Sequence, residues 1–394
     1  MTAAVESDPA ELRWRMVERV AADRYVSLGW REGFAQWRPS MLAVARHRFI
    51  PDTIWIENDG ADPLLVALHR HQDPQRWLER AYGDLAVIAQ VDDGQPGSMC
   101  WEPTSSASGP AIVAVMLAAL DVRDGHQVLE IGTGTGYHAA LLAHRLGAER
   151  ITTIEIDPDL AAHAYKALSD SGFDAVTVIT GDGELGHAPD APYDRVISTA
   201  GCTTIPYPWV AQTRPGGRIL TPWANSSFNG GLVALTVGDD GTATGSIVDR
   251  ASFMRLRGQR EPPRKPVLDI IGDDEDRAEA TATGLHPYWF TGDYDARLAI
   301  SLRVPGCELT YVPYNPDFGE GVVWIVDRWS RSWASHTHHS ADISDGEFTV
   351  LQFGPRKLWD EVEAAHQWWV EAGRPAADRW RFTVTPAGQR IDLE

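Results

Sequence analysis

The chain is 394 residues long, with 43% hydrophobic and 23% charged residues, enough apolar material for more than one packed domain. Its 35 Lys+Arg stand against 55 Asp+Glu, a net charge of −20, which repels nucleic acid and anionic lipid and excludes both as expected partners. A basic or neutral peptide is compatible with such a surface, and the acidity also serves solubility.

The first residues, MTAAVESDPAELRWR, are polar and acidic and do not read as a signal peptide. Residues 11–50 read as helical, with Leu12, Met16, Val17 and Val20 at helical spacing. Residues 62–82 carry a second helical pattern, ending near Ala81-Tyr82-Gly83-Asp84. The apolar stretch 111–120 is too short to span a bilayer. From about 108 to 235, apolar runs alternate with helical patterns. Strands are expected at 127–131, 151–156, 176–180, 195–199 and 217–221, and helices at 109–120, 139–146 and 159–170. That alternation predicts a parallel sheet covered on both faces. Glu261-Pro262-Pro263-Arg264-Lys265-Pro266 reads as a linker, and Asp273 to Asp276 as a solvated turn or cap. Beyond it, strands are expected at 297–304, 321–326 and 347–353 and a helix at 358–371. This last region is rich in tryptophan: Trp289, Trp324, Trp329, Trp333, Trp359, Trp368, Trp369 and Trp380. Such residues form an ordinary core or an aromatic peptide groove. Cys100, Cys202 and Cys307 lie far apart, without a CxxC pair or a disulfide framework, which fits a reducing, cytoplasmic setting.

The strongest motif is Val128-Leu129-Glu130-Ile131-Gly132-Thr133-Gly134-Thr135-Gly136-Tyr137, an apolar strand running into a glycine turn. Glycines permit positive φ and close approach of a ligand at the carboxyl end of the strand. A dinucleotide fingerprint would place Gly or Ala where Tyr137 stands, which argues against an NAD oxidoreductase. Glu155, ending the next apolar run, can accept both hydroxyls of a ribose. Asp182 in Gly181-Asp182-Gly183 can reach an adenine amino group, although Asp-Gly is also a common turn. This arrangement resembles S-adenosylmethionine methyltransferases of Rossmann-like fold.

Several further stretches occur in a telling order: Arg48-Phe49-Ile50-Pro51, Tyr82-Gly83-Asp84 and Ser108-Gly109-Pro110-Ala111-Ile112-Val113-Ala114-Val115-Met116, then the glycine turn and Gly181-Asp182-Gly183. Together they resemble the protein-L-isoaspartate O-methyltransferases over roughly residues 40–225. The resemblance implies an α/β, Rossmann-like methyltransferase fold with an N-terminal helical extension and an α+β C-terminal region. It implies S-adenosylmethionine as cofactor and S-adenosylhomocysteine as product. Ser108 would then stand beside the methyl acceptor, with Ser105, Ser106 and Ala107 along the substrate backbone. Glu130, Gly132, Thr133, Gly134, Thr135, Gly136, Tyr137, Glu155, Ile156, Asp182 and Gly183 would line the cofactor site. A simpler reading of Ser108 is the N-cap of helix 109–120.

The organisation expected is a helical, substrate-side region at 1–100, a cofactor-binding domain at 101–235 and a substrate-recognition region at 236–394. The sequence departs from the family pattern in the serine-rich run 105–108, in extra length at 90–104 and in everything after 235. These departures look like actinobacterial relatives that tailor ribosomal peptides. There an Asp methyl ester in a lanthipeptide or graspetide closes to an aspartimide. The expected partner is a peptide or protein, a modified precursor peptide among them. The favoured expectation is such tailoring, with general L-isoaspartate repair as the alternative and a non-catalytic peptide-binding protein as a third reading. No metal is expected: His336-Thr337-His338-His339 lacks neighbouring Cys or Glu at ligand spacing and reads as a polar loop.

Overall fold

The computed structural model describes residues 8–58, 64–95, 97, 102–261, 267–286, 291–315, 319–338, 346 and 348–394. The chain forms two compact units. The first comprises Met1–Trp223, Gly231–Gln259 and Phe382–Ile391, and the second comprises Ala224–Gly230, Arg260–Arg381 and Asp392–Glu394.

In the first unit three helices lead: α1 (Pro9–Ala22), α2 (Arg24–Gly29) and α3 (Arg31–Ala43). Asp8 and Asp23 cap α1 and α2 by accepting backbone N–H groups of the first turn. The helical spacing buries Met16, Val17 and Val20 with Phe34, Trp37 and Met41 against α5 (Pro110–Leu120). α5 is apolar on nearly every face and is accordingly enclosed. A Cβ on Gly33 would lie 2.7 Å from the Ala118 Cβ, so glycine sets how closely α3 approaches α5.

Residues 62–82 are not one helix. β2 (Leu65–His69) pairs antiparallel with β1 (Thr53–Glu57). A helix, α4 (Pro74–Ala81), begins only after Asp73, whose carboxylate takes the Arg76 N–H. A short apolar run passes for a helical turn because periodicity alone cannot separate the two over so few residues. β3 (Val87–Val91) and β4 (Pro103–Ala107) complete a four-stranded antiparallel sheet, ordered β2-β1-β3-β4.

The expected parallel strands are present as β5 (Val128–Ile131), β6 (Ile151–Glu155), β7 (Thr177–Thr180), β8 (Tyr193–Ser198) and the longer β9 (Thr213–Trp223). α6 (Tyr137–Leu146) and α7 (Pro158–Asp170) connect β5 to β6 and β6 to β7. β10 (Gly231–Val237) and β11 (Ala243–Arg250) add antiparallel strands beyond β9. β17 (Trp380–Thr385) and β18 (Gly388–Leu393) complete the nine-stranded order β18-β17-β11-β10-β9-β8-β5-β6-β7. The expected boundary near 235 thus falls inside β10, and strands on both sides of it share one sheet. β5, β6 and β8 are buried along their whole length, as a doubly covered parallel sheet requires. The winding reverses between β5 and β8, which opens a crevice at their carboxyl ends.

The second unit holds an antiparallel five-stranded sheet, β12-β16-β15-β14-β13. Its strands are β12 (Glu279–Thr283), β13 (Glu308–Asn315), β14 (Glu320–Asp327), β15 (Ser332–His338) and β16 (Phe348–Phe353). The strands expected at 321–326 and 347–353 and the helix at 358–371 are β14, β16 and Leu358–Glu371. The strand expected at 297–304 is instead the helix Tyr294–Arg303. Leu298, Ile300, Leu302 and Val304 alternate like a strand, but Asp293 caps the Asp295 and Ala296 N–H groups and starts a helix. Trp333, Trp359, Trp369 and Trp380 are buried and serve the core, whereas Trp329 is 96% exposed. Trp289 lies outside the described residues, as do Cys100, His339 and most of the 261–266 linker. His336 and His338 are buried on β15 rather than in a polar loop. Among the described residues no group of three His, Cys, Asp or Glu side chains is placed to hold a metal ion. No helix among them is long and apolar enough to cross a membrane.

The α3–α5 contact yields a test. Gly33→Leu should lower the unfolding free energy by roughly 1–3 kcal/mol through overpacking, read from urea denaturation. An unchanged midpoint would show that α3 and α5 have room between them.

Candidate active site

The glycine turn follows β5. Gly132, Gly134 and Gly136 adopt φ of 88°, 54° and 84°, a region other residues resist. A Cβ on Gly132 would lie 2.9 Å from the Thr199 hydroxyl, and one on Gly136 3.3 Å from Ala164. The turn is hung from its neighbour strand, since the Gly132 and Thr133 N–H groups both donate to the Ile154 carbonyl. Beneath it runs a buried polar chain. His138 meets Glu130 at 2.5 Å, Thr153 donates to Glu130 at 2.6 Å, and Thr133 and Thr153 share a bond of 2.7 Å. Glu130 is fully buried with both oxygens committed, so its carboxylate stiffens the turn from below.

The next strand ends in Glu155-Ile156-Asp157. Glu155 accepts the Gly134 N–H at 2.8 Å and the Asp157 N–H at 3.1 Å. Burial pushes its carboxyl above the ordinary range, against those two amides. Ile156 is 37% exposed, an apolar surface at the crevice. Asp157 caps α7 through the Asp159 and Leu160 amides. Burial presses its carboxyl upward, but Gln90, the Leu160 amide and Arg257 outweigh that and hold it below the ordinary range. After β7, Asp182 is exposed and accepts the Glu184 N–H, and Gly183 packs on Ile131.

The serine run forms β4 and the loop after it. A Cβ on Gly134 would lie 3.6 Å from the Ser106 carbonyl and 3.9 Å from the Ser105 hydroxyl. The structure therefore brings Ser105 and Ser106 against the glycine turn. Ala107 is buried in a small apolar cluster with Val87 and Trp77. Ser108 is half-buried, and its hydroxyl does not cap α5: the cap position is Gly109, with no side-chain hydrogen bond.

Arg46 holds this loop in place. Its guanidinium is fully buried and donates to the carbonyls of Ala81, Ala107 and Ser108, at 2.8, 3.2 and 2.9 Å. It lies 5.0 Å from the centre of the Tyr137 ring, and Phe49 packs on the same ring. Burial lowers the guanidinium pKa, opposed by Tyr137 and Tyr82. Next to it, burial and then Arg70, Arg48 and Arg13 lower the His47 pKa to about 4, leaving a neutral imidazole bonded to the Tyr82 hydroxyl at 2.7 Å.

Solvent thus reaches Gly132, Gly134, Ile156 and Asp182, while Glu130, Thr133, Thr135, Gly136, Tyr137 and Gly183 are enclosed behind them. Sequence reasoning missed Arg46, Gln90, Asp157 as a site residue, and Arg257. Asp157-Pro158 announced a helix start, but nothing local announces that Arg257 meets a residue 100 positions earlier. Of the extra length 90–104, residues 96 and 98–101 lie outside the described residues.

A family model described as Protein-L-isoaspartate(D-aspartate) O-methyltransferase (PCMT) matches residues 69–261. A protein-L-isoaspartate O-methyltransferase of Methanopyrus kandleri is 34% identical over 212 residues, 53% of this chain and 76% of that protein. Protein-L-isoaspartate O-methyltransferase 2 of Archaeoglobus fulgidus is 39% identical over 187 residues, 47% of this chain and 79% of that protein. A solved structure of a protein-L-isoaspartate O-methyltransferase is similar in fold, with a TM-score of 0.52 at 17% identity, covering 98% of this chain and 100% of that one.

Replacing Arg46 by Met should cost about 3–5 kcal/mol of stability, because three buried carbonyls lose their donor. Urea denaturation measures it, and a loss below about 1 kcal/mol would mean those carbonyls are satisfied without the guanidinium.

Proposed function

Because the chain belongs to the protein-L-isoaspartate O-methyltransferase family, we propose that it esterifies the side-chain carboxylate of L-isoaspartyl residues in peptides or proteins, with Ser108 at the acceptor. It is an S-adenosylmethionine-dependent carboxyl O-methyltransferase. The observation that supports the assignment of the site is the apposition of Ser105 and Ser106 to Gly134, which sets the serine run and the glycine turn face to face in one crevice.

The residues present suit the cofactor. Three positive-φ glycines leave a cradle that side chains would fill, Glu155 offers a carboxylate for ribose hydroxyls, and Ile156 offers an apolar face. Bound S-adenosylmethionine supplies an electrophilic methyl group on a sulfonium. The acceptor carboxylate, with an ordinary pKa of about 4, is already ionised at neutral pH, so the chain need provide no strong general base. Its task is alignment and exclusion of water, which contributes on the order of 7–11 kcal/mol in well-oriented reactions. Ser108 donates a charge-assisted hydrogen bond to one carboxylate oxygen and leaves the other for the new O–C bond. Arg46 fixes the backbone on which that serine sits. The methyl ester is then attacked by the next backbone nitrogen of the peptide, which expels methanol and closes a succinimide. Hydrolysis of that ring returns an aspartyl linkage in part, which is repair.

A second reading keeps the chemistry and changes the use: tailoring of a ribosomally made peptide in which the aspartimide is retained. It is favoured by the family match stopping at 261, with the rest of the chain beyond it, and by the Ser105-Ser106-Ala107-Ser108 run. Intact mass spectrometry with cofactor separates the two. A methyl gained on a generic isoaspartyl peptide supports repair. A net loss of water on a precursor peptide encoded beside the gene, with the generic peptide untouched, supports tailoring. No change in either substrate defeats both readings.

Ser108→Ala should slow methylation by about 10- to 100-fold, the worth of a hydrogen bond to a charged group, and leave cofactor affinity within about twofold. A large loss of cofactor binding would move Ser108 out of the acceptor site. Cofactor affinity should also fall with pH. Because burial raises the Glu155 carboxyl, it protonates on the way down from neutrality before the ordinary value of 4.5 is reached, and an acceptor for the ribose is lost. Titration calorimetry across that range checks this, and affinity unchanged down to pH 4.5 would remove Glu155 from the binding site.

A further inference from the structure

Two segments far apart in sequence meet at the rim of the crevice. One is the β3–β4 hairpin. Gln90 donates to Asp157 at 3.0 Å and accepts from Thr104 at 3.0 Å, and the Asp93 N–H donates to the Thr104 hydroxyl at 3.0 Å. The other is the arm of residues 251–259 that follows β11. Its backbone is tied to the loop after β8, since the Gly201 N–H donates to the Met254 carbonyl at 2.7 Å and the Leu256 N–H to the Gly201 carbonyl at 2.8 Å. One residue further on, Arg257 donates to Asp93 at 3.0 Å and to Asp157 at 3.4 Å. In the sheet β5 lies between β8 and β6. A segment held to Gly201 after β8 and to Asp157 after β6 must therefore cross the carboxyl end of β5, where the glycine turn begins. Gln259 then ties the end of the arm. It accepts the Thr203 and Thr204 N–H groups at 2.7 and 3.0 Å and donates to Glu184 at 3.0 Å.

We propose that Arg257 is a positioning residue that latches the arm to the β3–β4 hairpin across the cofactor crevice, and so sets how fast S-adenosylmethionine enters and S-adenosylhomocysteine leaves. The inference rests on the reading of the crevice as the cofactor site. The latch is a single guanidinium nitrogen, Nη2, shared between two carboxylates that face the arm together, Asp93 on the hairpin and Asp157 at the start of α7. Asp157 is only 9% exposed while Arg257 and Asp93 are 32% and 35% exposed, so one anchor is fixed in the fold and the other two groups can part. Asp157 also sits two residues from Glu155, so opening the latch loosens the wall beside the ribose-binding carboxylate. The exposed half of the bridge makes it sensitive to salt, which the apolar packing of the crevice is not.

The test is a chase experiment on the full chain: radiolabelled S-adenosylmethionine is bound, excess unlabelled cofactor is added, and the dissociation rate is read by rapid filtration. Arg257→Ala should dissociate the label roughly tenfold faster, the equivalent of one charge-assisted bond. The KM for cofactor should rise with kcat on an isoaspartyl peptide unchanged or higher. Gln259→Glu should act in the same direction, because it keeps the acceptors for Thr203 and Thr204 but sets a second carboxylate against Glu184. Added salt should speed release from the native protein and leave Arg257→Ala little changed. Arg257→Lys, which keeps the charge but on a more strongly hydrated ammonium with a shorter side chain, should fall between the two. If the native protein holds cofactor and both Arg257→Ala and Gln259→Glu release it within about twofold of the native rate, the latch is refuted. The same holds if only their melting temperatures move. A native protein that holds no cofactor at all overturns the site assignment, and the latch with it.

Discussion

The buried guanidinium of Arg46 is the contact on which the site depends. Its charge is met by three carbonyls and the face of Tyr137. Those carbonyls belong to the end of α4, the end of β4 and the short link between β4 and α5, and Tyr137 opens the helix after the glycine turn. One side chain therefore sets the serine run against the turn it must face. Distributing a buried cation over neutral dipoles avoids a buried ion pair, whose desolvation often cancels its attraction. It also fixes direction, because a planar fork of donors tolerates few arrangements of acceptors.

The other side of the crevice is built by similar means. The turn is suspended from Ile154 above and braced by the Glu130–Thr153–Thr133 chain below, with His138 closing it. A buried carboxylate with both oxygens bonded is stiff, since either bond would be costly to break in a low-dielectric interior. Preorganisation matters for a reaction whose acceptor needs orientation more than activation. The serine loop and the glycine turn are thus both held by buried polar contacts. The outer rim, in contrast, carries the partly exposed charges of Arg257 and Asp93 beside the buried Asp157.

The parallel strands, their helices and the glycine turn were legible because each is written in contiguous residues: a doubly buried strand is an apolar run, and a tight turn needs glycine. The errors have one origin. Leu65–His69 and Tyr294–Arg303 are both short apolar stretches whose periodicity is ambiguous, and pairing with the preceding strand decided the first while a single capping aspartate decided the second. Glu130 was expected at the cofactor because of where it stands in the motif. In the fold its two oxygens meet His138, in the first turn of α6, and Thr153, its register partner on β6. Arg46 and Arg257 were invisible for a different reason. Their partners are 35 to 62 residues away in one case and 100 to 164 in the other, and no local pattern encodes such pairings. What the sequence could offer was the resemblance in order of motifs, which places the family but not the contacts particular to this chain.

The nine-stranded sheet has a bearing on how the chain is made. β11 pairs on one side with β10, a hairpin neighbour, and on the other with β17, which the ribosome delivers only after all of residues 251–379. Until then β11 is a bare edge, with open backbone groups able to recruit a strand from another chain. On its other side Gly245 lets the strand sit close on β10, since a Cβ there would lie 1.8 Å from the Ala234 carbonyl. Asp249 and Arg250 place charge at its end. Most of the intervening residues belong to the second unit, so nascent chains pass through a stage in which much of that unit has emerged while the nine-stranded sheet still lacks its border. Slow closure of a long loop, rather than formation of the active crevice, then governs how soon after synthesis the sheet is sealed.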